Sequence, residues 1–100
     1  MNLPFEQGDI LSVERIKRPV LIVSKNYFNQ SEQAIVCPIL PEVNPDPLHI
    51  EIHTEEVCGW VLCEQMKLVD LTYRGYKKIA RLKYPDIINI ADAVQSIFDY

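Results

Sequence analysis

An acid, an amide and a cation stand close together inside a strand-like stretch, Val61 to Asp70 (VLCEQMKLVD). Glu64, Gln65 and Lys67 sit between the apolar pairs Val61-Leu62 and Leu68-Val69. A carboxylate among apolar neighbours must face water or be paired, because burying it alone is very costly. Glu64 is therefore expected to point into a groove with a partner. The partner on offer is Arg18, which opens a second strand-like run, Arg18 to Ser24 (RPVLIVS). Facing one another, a carboxylate can take a proton and a guanidinium can hold a phosphate and steady its charge. The alternative is an Arg18–Glu64 salt bridge that only ties the sheet.

The elements that must position this pair can be read along the chain. Met1 to Gln7 form a lead-in tacked down by Pro4 and Phe5, and Gly8 to Val13 form a first strand. The charged connection Glu14 to Lys17 is short enough to make an antiparallel hairpin with the next strand. Pro19 donates no hydrogen bond, so Arg18-Pro19 begins that strand, and Val20 to Val23 is continuously apolar, as a strand buried on both faces requires. Ser24 to Gln33 is a polar loop with room for one helical turn. A third strand covers Ala34 to Ile39, and Pro41, Pro45 and Pro47 stiffen the loop after it. Leu48 to His53 alternates as a fourth strand with Ile50 and Ile52 inward, and an acidic turn leads to Trp60. A break at Glu64 to Met66 divides the focal stretch into two strands at a sheet corner, and Tyr76 to Leu82 supplies a lysine-bearing edge strand. Only the end has helical spacing, with Ile87, Ile90, Ala91, Val94, Ile97 and Phe98 on one stripe after Pro85. Several short strands closed by one helix predict a mainly β protein, a small curled antiparallel barrel with a C-terminal helix.

One hundred residues, 48% of them apolar, suffice for a single domain covering 1–100. No apolar run approaches the roughly 20 residues that span a bilayer, and no signal-like segment opens the chain, so a soluble cytoplasmic protein without membrane association is expected. Cys37, Cys58 and Cys63 contain no CxxC and are read as buried free thiols. The net charge of −4 argues against coating nucleic acid, yet six basic residues and one acid lie between Lys67 and Lys83. That tract is either a local basic surface or an ordinary solvated face. His49 and His53 share a strand face, but a third metal ligand is lacking, so no metal site is assigned. If a groove lies on that face, His53 is a spare acid or base.

The order GDI, RPVLIVS, a polar loop with FN, VCPI, P-x-HIEI, VLCEQMKLVD, RGYKK and a terminal helix resembles the MazF/PemK toxins of type II toxin–antitoxin systems over almost the whole chain. The resemblance implies an SH3-like barrel, homodimerisation, and cofactor-free, metal-independent cleavage of single-stranded mRNA at short sequences. It also implies inhibition of growth, and neutralisation by a cognate antitoxin laid into the RNA groove. By position it makes Arg18 and Glu64 catalytic, with Gln65 and Lys67 following the acid; Lys17, Lys25 and Asn29 are further candidates for binding RNA. Tyr27 and Phe28 are candidates for stacking on bases. Two departures from the family pattern are visible. The first loop is shortened to Glu14–Lys17, and Leu40 stands where the family tends to place a Ser or Thr hydroxyl at the reacting phosphate. They leave open a second function, the same barrel as a catalytically impaired binding module for a protein or RNA. A third target, the gyrase poisoned by the related CcdB barrel, is not excluded by fold alone.

Overall fold

The computed structural model describes residues 4–98. Its order is β1 (Asp9–Val13), β2 (Val20–Ile22), α1 (Asn26–Asn29), β3 (Gln33–Leu40), β4 (His49–His53), β5 (Cys58–Leu62), β6 (Lys67–Asp70), β7 (Tyr76–Arg81) and α2 (Tyr84–Ser96). The strands pair antiparallel in the order β4-β5-β3-β2-β1-β7, with β6 beside β3. The result is a half-barrel with a C-terminal helix, as the spacing predicts, and β7 is an end strand carrying Lys77 and Lys78.

β3 organises the sheet. One edge pairs with β2 through Val20↔Pro38, Leu21↔Cys37 and Ile22↔Val36. The other edge pairs with β6 over Gln33–Val36 and with β5 over Ile39–Leu40, leaving Cys37 and Pro38 facing a gap in the ladder. Ile39 donates to the carbonyl of Pro19 on the β2 side. Alternation along the strand then turns the nitrogen of Pro38 toward the gap. A residue without an N–H therefore sits where a donor would have no strand to meet. The corner at Glu64 to Met66 lies beside this gap.

Two apolar clusters, one on each face of the sheet, explain why β2 reads as a continuous apolar run. Ile10, Leu21, Cys37, Ile39, Ile52, Val61 and Cys63 pack on one face with Ile90 of α2. Leu11, Val13, Val20, Ile22, Ala34, Val36 and Val69 pack on the other. Phe5 closes the second cluster, edge-on to Tyr76 at 5.7 Å between ring centres, so the lead-in is tacked down as expected from Phe5 onward. Met1 to Leu3 lie outside the described residues.

α2 starts with Pro85 and Asp86 in its first turn, both suited to a helix N-terminus. Its stripe is shorter than the spacing suggests: Ile87, Ile90, Ala93 and Val94 reach the core, whereas Ile97 and Phe98 are exposed. The helix ends at Ser96, and the amides of Ile97 and Phe98 turn back to the carbonyls of Val94 and Gln95, so the last two positions leave the helical phase. At Gly8, held at φ +93°, a Cβ would collide with Ile87, so only glycine lets β1 pass this close to α2.

Candidate functional site at the sheet corner

Residues directly opposite one another in paired strands share a face, so the register places the candidate side chains in rows. Val20, Pro38, and the pair Leu62 and His49 lie on one face, and the next row runs through Leu40, Trp60 and Glu51. Pro19 opposite Ile39 carries the β2 register one step back, and Arg18 precedes it in the bend that leads into β2. The His49 end of the corner shares its face with Pro38 and Leu62, and Arg18 enters from the far side of β3.

The expected contact between Arg18 and Glu64 is not what the structure contains. β3 lies between them, and two strand spacings put their backbones on the order of 10 Å apart. Glu64 instead pairs with His49, Nε2 to Oε2 at 3.0 Å. The other ring nitrogen, Nδ1, faces the carbonyl of Asn44 at 2.6 Å. Arg18 is exposed and makes no ion pair among the described residues. The two groups can thus flank a ligand, but they do not neutralise one another.

His49 was not singled out for the site, and His53, the spare acid or base, meets Glu51 at 3.3 Å instead. The His49 imidazole is only 12% exposed, whereas Glu64 is 37% exposed. The Glu64 hydrogen bond, helped by the Asn44 carbonyl, holds the His49 pKa above its ordinary 6.5, and partial burial opposes this only weakly. Signals for this pairing existed in the sequence: a four-residue turn over Thr54–Val57 sets His53 opposite Cys58, which carries His49 to Leu62, two residues before Glu64.

The remaining candidates divide. Lys17, Lys25, Gln65 and Lys67 are exposed, with Lys67 opposite Val36 beside the corner and Gln65 within it. Asn29 is a correction: it is fully buried, its amide donating to the Ser24 carbonyl and its oxygen accepting from the Ser24 hydroxyl. Touching a base would require leaving those bonds. Tyr27 and Phe28 are exposed on the same helical turn. Part of the basic tract is structural, since Lys78 and Arg81 both bind the buried carboxylate of Asp9. Cys37 and Cys63 are buried, their thiols pushed up to about 12 and about 11 by desolvation, but Cys58 is exposed, which corrects the expectation of three buried thiols. Among the described residues no group of three His, Cys, Asp or Glu is placed to hold a metal ion.

A family model of the PemK-like, MazF-like toxin of type II toxin–antitoxin systems matches residues 3–98. The chain belongs to this PemK/MazF family. Solved structures agree in fold. The chain is similar to a MazE–MazF complex from Deinococcus radiodurans at TM-score 0.85 and 17% identity, covering 97% of this chain and 98% of that one. MazF from the same organism matches at TM-score 0.82 and 16% identity, covering 97% and 98%. An endoribonuclease in complex with its cognate antitoxin, from Mycobacterial species, matches at 0.81 and 14%, covering 94% of each chain. No curated protein matches the sequence. In this PemK/MazF chain the two departures are visible in space. Leu40 lies opposite Trp60 at the end of β3, and β1 passes to β2 through a tight turn with Arg15 at φ 68°. Among the described residues no helix is long and apolar enough to cross a membrane.

Proposed function

We propose that this chain is the toxin of a type II toxin–antitoxin pair, a sequence-selective endoribonuclease that cleaves single-stranded mRNA and inhibits growth. The observation that carries the reading is Glu64, held by His49 through one oxygen and exposed at the sheet corner. In the reaction the ribose 2′-oxygen forms a bond to phosphorus and its proton passes to the Glu64 carboxylate. The bond from phosphorus to the 5′-oxygen breaks, and that oxygen takes a proton from solvent, leaving a cyclic phosphate and a 5′-hydroxyl. Arg18 steadies the phosphorane as a clamp. Lys17, Lys25, Gln65 and Lys67 hold the flanking strand, and membership in this family supports a homodimer and an antitoxin whose tail covers the same face.

The test is incubation of purified protein, with and without Glu64→Gln, with a long mixed-sequence RNA in EDTA, followed by mapping of the cut ends. Discrete cuts that vanish in the variant support the reading; intact RNA with a folded protein refutes it. Leu40 favours a second reading, a barrel that binds RNA or a protein without cutting. Leucine donates no hydrogen bond, and losing one donor to the reacting phosphate costs about 100- to 1,000-fold.

A further inference from the structure

We propose that His49 is a positioning residue for Glu64, gripping one carboxylate oxygen so that the other is free for the substrate hydroxyl. The inference rests on the ribonuclease reading. A backbone carbonyl can only accept, so Nδ1 of His49 carries a proton toward Asn44. A neutral ring would then present a bare lone pair to the Glu64 carboxylate at 3.0 Å, whereas an imidazolium satisfies both contacts. Glu64 Oε1 has no hydrogen-bond partner among the described residues.

The bracket around the ring is stiff. In the loop before β4, Asp46 accepts the Leu48 amide on its side chain and the His49 amide on its carbonyl. The Leu48 carbonyl in turn accepts the amide of Cys63, the residue before Glu64. Loop, β4 and corner thus form one unit, and the carboxylate enters the reaction with part of its rotamer freedom already removed.

The charged groups facing the ring are Glu64 from the corner and Asp46 from the loop, and both favour the cation. The folded-state pKa lies above the ordinary one. The imidazolium is therefore fully formed below pH 6.5 and is lost as pH rises through the raised value. Cleavage is expected to decline along that alkaline limb.

The test uses a short single-stranded RNA containing a mapped cut site, with kcat and KM followed against pH. His49→Ala should lower kcat about 10- to 100-fold with KM changed less than about 3-fold. His49→Gln, which keeps a donor but does not titrate, should recover most of the loss and flatten the alkaline limb. An unchanged kcat in His49→Ala, or an unchanged limb in His49→Gln, overturns the proposal. Independently of activity, NMR titration should show the His49 pKa falling in Glu64→Gln; no change overturns the pairing. If wild-type protein cuts nothing while that pKa falls, the ribonuclease reading fails and the ion pair stands.

Discussion

Asp9 and Glu64 both lie at the end of a strand segment beside apolar neighbours, and the two ends of the sheet handle them differently. Asp9 has no exposed surface. One oxygen accepts from Arg81 at 2.9 Å and forms an ion pair with Lys78 at 3.2 Å, and the other accepts the Glu6 amide at 2.8 Å. Arg81 also reaches the Gln7 carbonyl, so this acid welds the lead-in to β7. Glu64 uses one oxygen on one partner and shows the rest to solvent. A carboxylate with both oxygens engaged serves the fold; one tied by half is available for a ligand.

Exchanging the readouts for the two acids sharpens this contrast. Glu64→Gln should cut RNA cleavage about 100- to 10,000-fold, measured on the mapped site, while stability to urea moves by less than about 0.5 kcal/mol. Arg18→Ala should cost about 100- to 1,000-fold in cleavage, again with little change in unfolding, since among the described residues it has no partner to orphan. Asp9→Ala should do the reverse. Unfolding free energy should fall by about 2–4 kcal/mol, while cleavage per folded molecule stays within about 3-fold. Equal stability losses at positions 9 and 64 would erase the distinction. Smallest in effect is a thiol count. Cys58 should react promptly with a thiol reagent in the folded protein, whereas Cys37 and Cys63 should wait for unfolding.

The strands were legible because their patterns are local. Val20 to Ile22 is apolar on both faces, and the polar pair Glu64-Gln65 interrupts a strand where the ladder breaks. The partner of Glu64 was not, because it depends on register across a hairpin. A one-residue change in the Thr54–Val57 turn would send His49 to the opposite face. Pairing opposite charges along the sequence also led to Arg18, since nothing local says that β3 passes between the two. Asn29 misled in a similar way. A polar residue in a polar loop reads as surface, and only the fold reveals that Ser24 satisfies it inside.

Pro38 has a consequence for how this sheet tolerates mutation. Its missing donor leaves no N–H pointing into the gap beside the corner. Any other residue there would supply an N–H with no carbonyl opposite it, because Ile39↔Val61 and Val36↔Lys67 set β5 and β6 three residues apart in register and residues 62–66 loop out between them. The corner is thus kept open by surplus chain, and a substitution at Pro38 would add an idle donor beside it rather than close it.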